Sequence, residues 1–167
     1  MAAHSNRNLP PLWPWALALY DRPGATRALL TLQDDAGLDV CELLWGLWLL
    51  AHGRTPIAEI DALLAPVRHW QQCHTQPLRR LRRDLKARAI EQPWLEPMRT
   101  HIKKAELESE RETLRQLEAL GLSASSRSPG HAAIDTGLEP LTGQLAPRHQ
   151  RLISSLRLES ERMAPPS

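Results

Sequence analysis

No part of the chain restricts the fold more than residues 40–51, which read Val-Cys-Glu-Leu-Leu-Trp-Gly-Leu-Trp-Leu-Leu-Ala. Wound as a helix, Leu43, Leu44, Trp45, Leu47, Trp48, Leu49 and Leu50 occupy every side of it. A helix that is apolar all round has to lie at the centre of a bundle, covered by others. Asp39 is placed to cap its start and Gly53 to end it. The uninterrupted apolar run, Leu43 to Ala51, is far shorter than the roughly 20 residues that cross a bilayer. It predicts a buried helix and no membrane span.

The neighbours of that helix are predicted from period and punctuation. Almost no segment alternates with period two, whereas spacings near 3.6 recur. A first helix is expected over Leu12–Tyr20, with Pro14 tolerated in its first turn. Asp21-Arg22-Pro23-Gly24 turns the chain into a second helix, Ala25–Asp35, with Leu29, Leu32 and Ala36 on one side and Gly37 as its stop. Beyond Gly53, prolines mark helix starts. Thr55-Pro56 reads as the cap and first position of Ile57–Leu64, and Pro66 opens a segment through Trp70 to about Gln76. Pro77 opens Leu78–Ala89, and Pro93 opens a long final helix, Trp94–Leu120. The expectation is an all-α, compact bundle of six or seven helices with a long final helix and a disordered C-terminal tail.

Composition changes after Gly121, where Ser, Gly and Pro become frequent and apolar residues scarce. The chain therefore divides into a flexible N-terminus (1–11), a helical domain (12–121) and a flexible tail (122–167). Within the tail, residues 147–163 carry Leu152, Leu156 and Met163 on one stripe and predict a short helix. Leu9 to Tyr20 is mostly apolar, but Pro10, Pro11 and Pro14 break it and no cleavage site follows, so no secretory leader is expected. The expected compartment is the cytoplasm.

The residues that carry chemistry are few. The aromatic set is six Trp, one Tyr and no Phe. Each indole N–H needs a partner, so these rings are expected at the edge of the core. Cys41 and Cys73 are too few for a disulfide scaffold or a four-cysteine zinc site, and both fall within apolar helical patterns. His69 and Cys73 lie one helical turn apart with His74 beside them, but no fourth ligand accompanies them. Asp34, Asp35 and Asp39 superficially echo the aspartate-rich motifs that hold Mg²⁺ and a diphosphate in helical isoprenoid synthases. Gly37 and Asp39 already serve as helix stop and cap, and no second aspartate-rich helix appears. No Gly-rich phosphate loop occurs, nor a Ser or Cys nucleophile with a placed base. No catalytic residue, no metal and no cofactor is expected.

Net charge is only +2, yet it is unevenly spread. Leu78 to Ala89 sets Arg79, Arg80, Arg82, Arg83, Lys86 and Arg88 against Asp84 alone, a local balance of six minus one, or +5. Leu78, Leu81 and Leu85 share the opposite face. Such a stripe can meet phosphates of nucleic acid or lipid as a partner surface, or line a pocket for a small anion. The helix that follows carries Glu96, Glu106, Glu108, Glu110, Glu112 and Glu118, and an antiparallel packing pairs these charges internally. No aromatics are interleaved on the basic helix, which argues against stacking on single strands.

Several segments together resemble a family. They are Leu12-Trp13, Leu17-Ala18-Leu19-Tyr20 with Arg22-Pro23-Gly24, Leu32-Gln33-Asp34, and Gly37 with Asp39-Val40. Leu43-Leu44, Leu47-Trp48, Trp70, Pro77-Leu78-Arg79, Arg82-Arg83-Asp84-Leu85-Lys86 and Ala105-Glu106-Leu107 with Glu110 complete the set. On these, Leu12 to Leu117 resembles an uncharacterised proteobacterial family of short helical hypothetical proteins, a domain of unknown function. The resemblance lends no substrate, cofactor or partner. It implies that Asp39, Arg79, Arg82, Arg83, Lys86, Glu106 and Glu110 belong to a shared scaffold, with Asp39, Glu106 and Glu110 as a polar network. One departure is Cys41, where the family favours Asn.

The leading expectation is a non-enzymatic helical protein-interaction module, binding a protein partner or itself through the basic helix and the long final helix. The second is a nucleic-acid-binding module using the basic helix 78–89. The third is a small enzyme or binder of a phosphorylated or isoprenoid metabolite, with Asp34, Asp35 and Asp39 around a divalent ion.

Overall fold

The computed structural model of the chain describes residues 9–121, 123–127 and 137–163. The expected flexible N-terminus falls, through residue 8, outside the described residues, as does the part of the expected tail at 122, 128–136 and 164–167.

Asp39 Oδ1 accepts the backbone N–H of Glu42 at 2.9 Å, and with that cap in place α3 runs from Val40 to Ala51. Every residue from Val40 to Leu49 is buried. Burying an apolar side chain contributes on the order of 1.5–3 kcal/mol, so this one helix anchors the body. Around it lie α1 (Leu12–Tyr20) and α2 (Ala25–Ala36). Gly24 and Gly37 flank α2 in the left-handed region, at φ 78° and 67°. Only glycine takes that conformation at little cost, so both ends of the helix are set by residue type.

Three of the six tryptophans, Trp15, Trp45 and Trp48, depart from the edge positions expected of them, whereas Trp13 and Trp70 are half-buried. Trp45 and Trp48 are 0% and 1% exposed, at the centre of the core, and Trp15 is buried too. Trp48 satisfies its N–H on the Pro10 carbonyl at 3.2 Å. Trp45 and Trp15 leave theirs without a partner among the described residues. Burial of the large ring outweighs the indole N–H here. Trp94, by contrast, is 73% exposed.

Three of the predicted helix starts do not occur. Thr55-Pro56 is not a cap. It lies in a short strand, β1 (Arg54–Pro56), paired antiparallel with β2 (Ser125–Arg127) so that Thr55 faces Ser126. Proline is tolerated because each strand of a two-stranded sheet is an edge. Arg54 reinforces the pair, donating from Nε to Ser125 Oγ and from Nη2 to the Ser125 carbonyl, both at 2.7 Å. Helix α4 then begins at Asp61, not Ile57.

Pro66 and Pro77 open no separate helices either. Helix α4 (Asp61–Trp70), a π-helical turn (Gln71–Thr75) and α5 (Gln76–Glu91) follow one another without a break. A proline ring meets the carbonyl four residues back. The π-turn just before Pro77 shifts the hydrogen bonds to five-residue spacing and opens that room. A 3₁₀ turn, Pro93–Leu95, leads into α6 (Glu96–Leu120), which folds back along α5 as a hairpin. Helix α5 packs mainly against α6.

Past Gly121 the chain still joins the body wherever it is described. Ala124 is fully buried beside β2. After α7 (Glu139–Thr142), the helix expected at 147–163 is present as α8 (Pro147–Arg162), and it packs on α2 and α3. Leu138 and Leu156 are buried, and Arg22 Nε donates to Glu159 Oε2 at 2.8 Å. A few well-placed leucines suffice to dock a segment whose average composition is polar. Among the described residues no helix is long and apolar enough to cross a membrane.

Candidate functional site

On α5, Arg79 and Arg82 are three residues apart and therefore share a face; on α6, Glu106 and Glu110 do the same at a spacing of four. The hairpin sets the two faces together. Arg79 donates from Nε to Glu106 Oε1 at 3.1 Å and from Nη2 to Glu110 Oε1 at 2.7 Å. Arg82 reaches Glu106 twice, with Nη2 to Oε1 at 3.2 Å and Nε to Oε2. Residue numbers rise on one helix as they fall on the other, so the helices are antiparallel.

The two carboxylates respond differently. Burial pushes the Glu106 carboxyl up, but hydrogen bonds from Arg82 and Arg79 outweigh it and hold the group below its ordinary range. Burial also pushes up Glu110, which has Arg79 alone against the repulsion of Glu106 and Asp39, and its carboxyl stays above the ordinary range. Nearby, Tyr20 is raised to about 12, first by burial and then by the negative groups around it.

A polar layer continues from this pair towards the core. Asp39 accepts from Gln71 Nε2 on its second oxygen at 2.8 Å. Thr75 and Ser109 share a buried hydroxyl contact at 2.7 Å, and Trp70 Nε1 donates to the Ser109 carbonyl at 3.2 Å. Glu42, buried on α3, accepts from Arg68 Nε at 2.7 Å and from Arg68 Nη2 at 2.9 Å. Sequence reading missed this last pair, since nothing local links Glu42 to an arginine 26 residues on.

The rest of the basic helix faces solvent. Arg80, Lys86 and Arg88 are exposed, with no ion pair among the described residues. Arg83 stands 3.7 Å from Asp34, both largely exposed. The same hairpin also exposes Leu81, Ile90, Trp94 and Met98, at 42%, 79%, 73% and 49%.

A cleft of about 740 Å³ opens beside the ion pairs, bounded by α1, α2, α3, α5 and α6. Trp13, Leu17, Tyr20, Leu44, Leu107 and Leu114 form its apolar lining. Arg83, Lys103 and Lys104 stand among its polar residues.

The aspartates do not converge. Asp39 is occupied by the α3 cap and Gln71, Asp34 faces Arg83, and Asp35 lies exposed on α2. Among the described residues no group of three or more His, Cys, Asp or Glu is arranged to hold a metal ion. Cys41 is buried, but Cys73 is exposed, against the expectation that both sit in apolar surroundings. His69 Nε2 lies 3.6 Å from Cys73 Sγ, while His74 stacks on Trp70 at 3.9 Å.

Comparison with known proteins adds one relationship. The model of a family described as protein of unknown function (DUF2390) matches residues 11–117. No curated protein and no solved structure matches the chain.

Proposed function

We propose that this chain, which belongs to the DUF2390 family, is a protein-interaction module whose α5–α6 hairpin engages an acidic partner surface. The observation that carries the reading is the exposure of Leu81, Ile90, Trp94 and Met98 on one hairpin, beside the unpaired Arg80, Lys86 and Arg88. Aromatic residues, Met and Arg are enriched where proteins meet, and large exposed apolar groups are otherwise scattered. A nucleic-acid reading is less well supported. Two of the six basic side chains, Arg79 and Arg82, are neutralised by Glu106 and Glu110. The remainder leave an apolar rather than a purely cationic surface.

The test is affinity capture and light scattering with Ile90→Ser/Trp94→Ser and Arg80→Glu/Arg88→Glu, using Arg27→Glu as a control elsewhere on the surface. A protein partner or a second copy should be held by the wild type and by the control, and lost by both hairpin variants. Nucleic acid that co-elutes with the protein and is stripped by salt would overturn the reading in favour of phosphate binding, whose affinity falls steeply with salt.

A further inference from the structure

The cleft beside the Arg–Glu pairs carries features that the hairpin reading leaves unused. Of the large apolar side chains exposed on the molecule, Leu17, Leu30 and Leu107 come from three different helices, α1, α2 and α6. All three line the one cleft. Each is close to half exposed, at 46%, 46% and 47%. Three elements thus converge exposed leucines on one opening and form a continuous apolar wall. Inside, Trp13, Tyr20, Leu44 and Leu114 continue the apolar surface. The volume of about 740 Å³ lies within the range, roughly 300–1,000 Å³, of sites that enclose small molecules.

The charges give the occupant a direction. Lys103 and Lys104 line the cleft on α6, exposed and without an ion pair among the described residues. Arg83 adds a third cation, held only loosely by Asp34 at 3.7 Å. The interior is different: Arg79 and Arg82 are there but are paired with Glu106 and Glu110, Asp39 adds a further carboxylate, and burial raises the Glu110 carboxyl, so the site resists added negative charge. An anionic group is therefore favoured at the lysines and disfavoured within.

We propose that this cleft binds a small amphipathic anion, an aliphatic chain bearing a carboxylate or phosphate head. The chain lies along Leu17, Leu30, Leu107 and the interior wall, and the head meets Lys103, Lys104 and Arg83. The site is separate from the exposed tip of the hairpin, so either reading can fail alone.

Isothermal titration calorimetry with laurate, dodecyl phosphate and dodecyltrimethylammonium, each below its micelle concentration, tests the assignment. The wild type should bind at least one of the two anions, and whichever binds more tightly identifies the head group. The cation of equal chain length should bind at least tenfold more weakly. Lys103→Ala/Lys104→Ala and Leu17→Gln/Leu107→Gln alter exposed side chains, and unchanged circular dichroism confirms that they fold. Each should weaken anion binding about tenfold or more, whereas Trp94→Ser should leave it unchanged. Absence of binding by both anions, equal binding of the cation, or affinity that survives both double variants would overturn the proposal.

Discussion

Glu106 receives hydrogen bonds from both Arg79 and Arg82, which stand one turn apart on the facing helix. One buried carboxylate thereby joins two arginines that only partly reach solvent, and it fixes the register of α5 against α6. Removing its charge leaves Arg82 facing a neutral group and Arg79 with Glu110 alone. Glu106→Gln should cost about 2–3 kcal/mol in urea unfolding, below the full range for a wholly buried pair because the arginines keep some water. In a double-mutant cycle with Arg82→Ala, the coupling should be about 1 kcal/mol or more. Additive single effects would show that the contact contributes nothing.

The two glutamates of this network oppose each other in pH. Glu106 is depressed in the folded protein, so its contribution is complete above the ordinary value of 4.5 and is lost as pH falls through the depressed one. Glu110 is raised, so its contribution is complete below 4.5 and is lost as pH rises through the raised value. Acidifying from neutrality towards 4.5 should therefore stabilise through Glu110, and further acidification should destabilise through Glu106. Glu112, held at about 2 by its hydrogen bonds from Arg115 and Gln116, adds to the acid-side loss. Glu110→Gln should abolish the gain and keep the loss. Carbon-13 NMR of the side-chain carboxyls should find Glu106 titrating below Glu110, and the reverse order would contradict the account.

Trp45 and Trp48 are equally buried, but among the described residues only Trp48 has a partner for its N–H, the Pro10 carbonyl. An orphaned buried donor costs on the order of 1–3 kcal/mol. Trp45→Phe removes that penalty along with part of the ring, and the net change should stay within about 1 kcal/mol. Trp48→Phe loses a made hydrogen bond as well as volume, and should cost about 2–3 kcal/mol. Equal losses in thermal unfolding would show that the Pro10 bond contributes nothing.

Gly46 lies on α3 where α7 comes closest. A Cβ there would stand 2.6 Å from Leu138 Cδ2 and 2.7 Å from Leu141 Cδ1. These are ends of flexible side chains, so they can turn away. Gly46→Ala also gains about 1 kcal/mol of helix propensity, which offsets much of the crowding. Global stability should change by less than about 1 kcal/mol, while amide exchange at residues 138–142 accelerates at least tenfold. Unaltered exchange in that segment would mean that α7 does not rest on Gly46.

The chain discloses its interior more readily than its long-range ties. Bounds of α1 and α3 follow from Pro14, Asp39 and the all-round apolar run, because caps and period are local signals. Pairing of Arg79 and Arg82 with Glu106 and Glu110 was legible as one of three outcomes for the basic helix, but their spacing alone does not say which charges face inward. Thr55-Pro56 misleads because the sequence that looks like a helix cap belongs to a strand whose partner lies 71 residues away. Pro66 and Pro77 mislead for another reason, since the relief for Pro77 is a π-turn that no short motif announces. The cleft was invisible, as its leucines come from three helices and look unremarkable within each.

Because α4, the π-turn and α5 form one rod, the hairpin tip sits at the end of a long arm. From Gln76 to Glu91 the arm measures about 24 Å at helical rise. A swing of about 10° at the π-turn therefore carries Ile90 through about 4 Å, by the same helical length. The pivot lies next to Gln71 and Thr75, which hold Asp39 and Ser109 of the core. Small displacements at those two contacts are thus geared up about sixteen residues further along, at the exposed Ile90.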